Sequence, residues 1–316
     1  MCFIIIVAYF YKFICGIAIV KTSSARISTQ GTPPADFTKV KLRRQSGMNV
    51  KSHTDKSDCG ITDLVVLPCD LLLLADRDNL SVKLADPGSG QLLDQLQLPD
   101  KPWGLCLLPV DRAAVTIPGK SIIQIILVTN KKLSLKSVIK IERQCYGIDY
   151  LNDYFVVGSK SAGIRARVAL IDDKGKINKC ISTVSQGKAL FKYPNYIRVT
   201  TENTSKVIYV SDWGTKTITR LNEDLQVLQS FTDPGLENPH GLASVGEGQL
   251  LVVDYSNSWF SKLSVLDVTT GQFTQQLGQE ENLRYTLCVA VSHTLRTVYV
   301  NNFWDGFDVI RKYTFK

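Results

Sequence analysis

Six short apolar segments that begin 42–49 residues apart, each trailed by further strand-like runs, predict an all-β protein. The architecture they predict is a six-bladed β-propeller of four-stranded blades, closed by an N-terminal strand, over residues 46–316. The period, the apolarity of the paired inner runs and a last unit that is one strand short all point the same way.

The first runs are ITDLVVLP from Ile61, WGLCLLP from Trp103, YGIDYL from Tyr146, NYIRVT from Asn195, HGLASV from His240 and TLCVAV from Thr286. Each is followed by a second: LLLLAD, RAAVTIP, YFVVGS, VIYVSD, LLVVDY and TVYVNN. Their apolar residues are consecutive, the mark of strands covered on both faces. Turn formers come next, among them Asp76-Arg77-Asp78-Asn79, Pro118-Gly119 and Asp212-Trp213-Gly214. A third, more alternating run follows (SVKLAD, SIIQIIL, ARVALID, TITRLN, SKLSVLD, DVIRKYT), then a polar fourth such as QLLDQLQL or LQVLQSF. Asp86-Pro87-Gly88 and Asp173-Lys174-Gly175 join the third to the fourth as hairpin turns. No stretch of 59–316 shows the 3.6-residue period of an amphipathic helix.

The sixth unit ends after its third run, at Lys316. An unpaired edge there would invite aggregation, so another segment must cover it. The segment Met48–Ser52 is the available strand, and it is expected beside Asp308–Thr314, tying the two ends of the chain together.

Composition is that of an average globular protein, 44% hydrophobic and 21% charged. The net charge of +8 is concentrated at the N-terminus. Residues 1–58 carry nine Lys or Arg against three acids, which leaves 59–316 at +2 and argues against nucleic-acid binding by charge alone. Eight scattered cysteines include no CxxC pair, so they read as separate thiols and not as a zinc site or a disulfide framework. Residues 1–20 are apolar and read three ways: a signal, a membrane anchor or a misplaced start. A signal would lack its basic n-region, and an anchor would hold Lys12 in mid-span. Residues 21–45, polar and basic with Pro33-Pro34, read as a flexible linker.

Residues 46–316 resemble the NHL-repeat propellers at the C-terminus of tripartite-motif proteins. The resemblance rests on NVKSHTDKSDCGITDLVVLP, LLLLADRDNLSVKLAD, VIYVSDWGTKTITRL and NPHGLASVGEGQLLVVDYSN. It implies a cytoplasmic, non-catalytic module that recognises a protein or peptide partner, without cofactor or small-molecule substrate. A membrane enters only if residues 1–20 are a genuine anchor. Some relatives bind RNA with one face of the disc. The RING finger, B-boxes and coiled coil that usually precede such propellers have no counterpart in this sequence, so ubiquitin-ligase chemistry has no carrier in it.

In a propeller, the loops entering each blade and those between its second and third strands share one face. That rule places Trp103, Trp213, Trp259 and Trp304 together, with Arg77, Tyr146, Tyr196, His240, Tyr255 and Arg284, as the binding face, and Tyr285 and Phe303 on it or at its edge. Exposed aromatics anchor partners. The alternative for each is packing between blades. Trp213 and Trp304 sit beside turn residues and are expected to be accessible, whereas Trp103 precedes an apolar strand and is expected to be packed. Lys and Arg on this face would suit RNA, but acids interleave them. Asp76, Asp212, Asp254 and Asn301 recur at one repeat position and read as turn-closing acceptors. The rival is a metal at the central channel, as in six-bladed propeller hydrolases, with Asn195 as one member. No Glu partner, catalytic motif or converging set of histidines supports it, so no catalytic or metal-ligating residue is expected.

Overall fold

The computed structural model describes residues 36–315 apart from 185–186, 247, 257 and 304–306, with the backbone alone at Ser161. Residues 1–20, most of the expected linker and Trp304 lie outside the described residues. Each repeat forms one antiparallel sheet in chain order. Blade one is Ile61–Val66, Leu72–Asp76, Ser81–Asp86 and Gln91–Gln97. Blade two is Leu105–Leu108, Arg112–Ile117, Ile122–Thr129 and Lys132–Lys140. Blade three is Cys145–Leu151, Tyr154–Ser161, Ile164–Ile171 and Ile177–Ile181. Blade four is Pro194–Glu202, Ser205–Asp212, Thr217–Asn222 and Val227–Phe231. Blade five is Pro239–Gly246, Gln249–Tyr255, Ser261–Asp267 and Phe273–Leu277. Blade six has Val289–Ser292, Thr297–Asn301 and Val309–Thr314 from the C-terminal end.

The innermost strands contact those of both neighbouring blades in sequence, and Val289–Ser292 returns to Ile61–Val66. The consecutive apolar runs are what this ring demands, because each blade is covered by a neighbour on either face. Six apolar clusters result, one at each blade interface. Side chains such as Leu64, Leu72 and Leu74 are fully buried, each stabilising the fold by about 1.5–3 kcal/mol relative to exposure. The recurring glycine of the first strands has a steric cause. A Cβ at Gly104 would lie 2.5 Å from Tyr146 O, one at Gly147 2.9 Å from Asn195 O, and one at Gly241 2.7 Å from Cys288 Cα. Near the axis, neighbouring strands approach too closely for a side chain at these positions.

Ring closure follows the expected route. Met48–Asn49 pairs with Val309–Thr314, placing Met48 opposite Ile310 and Asn49 opposite Val309. Val50 N donates to Asp308 O at 2.7 Å. The pairing also begins earlier than expected, since Arg43–Arg44 lies opposite Thr314 and Tyr313. Residues 36–45, which the sequence assigns to a flexible linker, are thus docked. Phe37 and Val40 join the cluster between blades five and six, packing with Tyr313 and Phe315. Met48, Val50 and Cys59 join the one between blades six and one. Two apolar anchors three residues apart hold this segment, and its polar, basic composition conceals them. Cys59, Cys106, Cys145 and Cys288 are buried as separate thiols.

Candidate binding face

The loops on the expected face are fastened from below by the recurring acid. Asp76 accepts from Gly60 N at 2.9 Å, and Asp254 from Asn238 N at 2.7 Å. Asp212 accepts from Lys192 N, Tyr193 N, Gly214 N and Thr215 N. Asn301 takes the same part with Leu287 N and Cys288 N. In every case a second-strand side chain holds the loop that enters its own blade. These residues therefore act as acceptors for backbone donors that would otherwise lack partners.

Above these acceptors runs a continuous string of aromatic rings. Trp103 meets Tyr146 edge-on at 5.4 Å and Tyr196 at 6.5 Å. Tyr196 leads to His240 at 5.7 Å, and His240 to Tyr255 at 6.3 Å. Tyr255 stacks on Tyr285 at 5.2 Å, and Tyr285 meets Trp259 at 4.6 Å and Phe303 at 6.5 Å. Phe303 then touches Phe307 at 5.4 Å. A second group, Tyr193 stacked on Trp213 at 4.0 Å, is joined to the string by Lys160. The Lys160 ammonium lies 4.1 Å from the Tyr193 ring centre and 5.0 Å from that of Tyr146.

Of the ten residues assigned to this face by sequence, seven belong to this assembly: Trp103, Tyr146, Tyr196, Trp213, His240, Tyr255 and Trp259. Exposure differs from expectation. Trp259 is 55% exposed, while Trp213 is half-buried against Tyr193. Trp103 is half-buried, with its indole nitrogen enclosed. Arg77 and Arg284 have polar and ring partners of their own. Arg77 forks onto Asp78 at 2.8 and 3.0 Å, and Arg284 lies over Phe260 and donates to Asn282. Sequence reasoning missed Tyr193 and Phe307, although both fall in the loops its own rule selects. Phe307 is 49% exposed.

Tyr196 stands where three other first strands have glycine, and its ring crosses the channel. Its Oη donates to Thr62 O of the opposite blade at 2.8 Å. Below it, Asp63, Asp149 and Arg198 face the axis. Asp63 accepts from Leu64 N and, across the blade interface, from Leu105 N. Asp149 accepts from Tyr150 N and from Val199 N of the next blade. Burial pushes the Asp63 carboxyl up to about 6, with Arg198 pulling the other way. Burial likewise raises Asp149 against the same arginine. His240 is lowered by burial, against the opposing effect of its hydrogen bond to Asn238 O.

Among the described residues, Asp55, Cys59 and Asp76 are the acid and thiol groups close enough together to hold a metal ion. The Lys83 ammonium occupies the space between them, 2.5 Å from Asp55, 2.7 Å from Asp76 and 3.0 Å from Cys59. This cluster was invisible in the sequence, where Lys83 is one polar residue of an alternating strand.

No protein-family profile and no curated protein matches this chain. Solved structures do resemble it. A streptogramin B lyase aligns at a TM-score of 0.58 with 13% identity, over 87% of this chain and 98% of that one. Hydrazine synthase of Kuenenia stuttgartiensis aligns at 0.57 with 11% identity, over 79% of this chain and 76% of that one. The β-propeller domain of Cps50 (Swd1) from Myceliophteria thermophila aligns at 0.55 with 14% identity, over 81% and 82%. The chain is a six-bladed β-propeller. At these identities the likeness concerns the fold, and it does not single out the NHL group.

Proposed function

We propose that this propeller is a non-catalytic, cytoplasmic interaction module that takes a protein or peptide on its aromatic face, in the manner of tripartite-motif propellers. The observation that carries this reading is the ring string itself, continuous across blades two to six and ending in the accessible rings Trp259 and Phe307. Large rings held in place by their neighbours bind with little loss of side-chain freedom, which is why such residues dominate interface energetics. The polar groups near the axis support the non-catalytic part. Asp63 and Asp149 each accept two backbone N–H groups, and His240 is packed between Tyr196 and Tyr255 with Nδ1 bonded to Asn238 O. Groups so occupied are poorly placed to act as a base.

The test is affinity capture from extract with the full chain and its Trp259→Ala, Phe307→Ala double variant, with and without RNase. Loss of an anchor of this type weakens a partner by about 2 kcal/mol or more, roughly thirtyfold, while leaving the melting temperature nearly unchanged. Retention of every partner by the folded double variant overturns the reading. Partners released only by RNase would instead point to RNA.

A further inference from the structure

We propose that the cleft between blades three and four on this face seats an acidic side chain, carboxylate or phosphate, of a peptide partner. This deepens the interaction reading and rests on it. The cleft has a volume of about 610 Å³ and is lined by Tyr146, Lys160, Arg165, Lys192 and Tyr193 among others, with no acid in its wall among the described residues. Lys160 is its centre. The ammonium lies between two phenol rings, and among the described residues no acceptor oxygen bonds it. The Lys192 side chain is exposed and makes no ion pair among the described residues. Arg165 is exposed and gives one N–H to Gly187 O at 3.0 Å, leaving further donors in its fork.

The nearest acids do not neutralise these cations directly. Asp212 is bonded to four backbone N–H groups, and Glu142 is held by Arg167 and Arg143. Burial lowers the Lys160 ammonium toward its neutral form, with Asp212 acting the other way. A partly desolvated cation without an acceptor gains more from an arriving anion than a hydrated one does. Tyr146 and Tyr193 flank it, so an acidic residue beside an apolar or aromatic one fits the cleft best. A peptide is favoured over RNA because Lys160, Arg165 and Lys192 are gathered in one cleft, while acids interleave the other cations of the face. Elsewhere on the face Asp78 and Asp100 interrupt any basic track a phosphate backbone could follow, and residues 59–316 carry only +2 in all.

The experiment is fluorescence anisotropy with the full chain and four probes. These are a labelled Gly-Glu-Glu-Phe-Glu-Glu-Gly peptide, its Gln counterpart, a labelled oligouridylate of matched charge, and inorganic phosphate as a competitor. The Glu peptide should bind at least about tenfold more tightly than the Gln peptide, and phosphate should displace it. Lys160→Met, which keeps the aliphatic stem between the rings, and Lys192→Glu should each weaken it by about tenfold. Lys132→Gln, at the start of blade two's fourth strand and outside the cleft, should leave it unchanged, and circular dichroism melts check the fold of each variant. Equal binding of the two peptides overturns the proposal, as does indifference to Lys160→Met. Tighter binding of the oligouridylate, lost in the same variants, overturns it in favour of RNA. The outcomes separate it from the broader reading. If Trp259→Ala, Phe307→Ala loses its partners but Lys160→Met still binds the acidic peptide normally, only the cleft proposal falls. If the cleft behaves as described while the double variant keeps every partner, the aromatic-anchor reading falls alone.

Discussion

Replacing Lys83 by Met should destabilise the propeller more than any surface change. The Lys83 ammonium is fully buried and lies within 2.7 Å of two carboxylates, Asp55 and Asp76, whose side chains alongside it are buried too. Removing it leaves two acids without their counterion, and breaking a buried pair in this way costs about 3–5 kcal/mol. For a domain of this size, each kcal/mol lowers the melting temperature by about 2–4 °C, so a fall of about 6–20 °C is expected. The damage should be local to ring closure, because Asp55 and Cys59 lie on the link between Met48–Asn49 and blade one. The assay is thermal and urea unfolding by circular dichroism, together with limited trypsin cleavage at Lys51 and Lys56. Adding Asp55→Asn to the Lys83→Met variant removes one of the stranded acids and should recover part of the loss. A loss below about 1 kcal/mol, or a double variant less stable than the single one, refutes the reasoning. The pH dependence has two edges. Burial lowers Lys83, but Asp55 and Asp76 outweigh it and hold the group at about 12, so its stabilisation is present below 10.5 and lost as pH rises through 12. Burial raises Asp55, but Lys83 and its other donors hold it below its ordinary value, so its contribution is lost as pH falls into the acid range.

Two further outcomes follow from the same geometry. The comparison is between the chain lacking residues 1–35 and the chain lacking 1–50. The longer truncation strips Phe37, Val40, Met48 and Val50 from two blade interfaces and should melt well over 10 °C below the shorter one, at about 2–4 °C per kcal/mol lost; equal melting of the two would refute the closure. Asp63 should show the opposite pH trend to Asp55. Its carboxyl is raised from 3.8 to about 6, so it stabilises the fold in full below pH 3.8 and loses that contribution, about 3 kcal/mol, as pH rises through 6. The stability of Asp63→Asn relative to the wild type should therefore improve between pH 4 and 8, and a flat difference refutes the assignment.

The legible part of this molecule is what repeats. Apolar inner runs, turn formers and a recurring acid at the end of the second strand are each dictated by the same local problem solved in successive blades, so they show as a period. The strand order, the role of Asp212 and Asp254, and the closure by Met48–Asn49 all came from that period. What stayed hidden occurs once. The docking of Phe37 and Val40 depends on an interface between the fifth and sixth blades that no local pattern announces. Lys83 looks like a solvent-facing residue of an alternating strand until the chain linking Met48–Asn49 to blade one folds Asp55 and Cys59 over it. Tyr196 looks like one more aromatic until the opposite blade brings Thr62 O within reach. Trp213 is less accessible than its turn residues suggest for a related reason, since exposure depends on whether a neighbouring loop supplies a partner ring. Tyr193 supplies one to Trp213 at 4.0 Å, whereas Trp259 rests on Tyr285 with more than half its surface free.

The face and the scaffold are separable in energetic terms, and this makes a binding surface physically reasonable here. Stability resides in six blade interfaces and the closing strand, all below the loops. Asp76, Asp212, Asp254 and Asn301 transmit that rigidity upward by holding loop backbones, leaving the loop side chains free to vary. Trp103, Tyr196 and His240 occupy the boundary between the two. They pack on one another near the axis, and Tyr196 links blade four to blade one, so changes there should alter stability as well as binding. Trp259, Phe307 and Lys160 lie beyond that boundary, with open surface or a donor that no acceptor among the described residues meets, and a partner could use them without disturbing the ring. On the proposed reading, a disc with such a rim would meet a partner already ordered, so little of the binding energy would be lost to fixing its own loops.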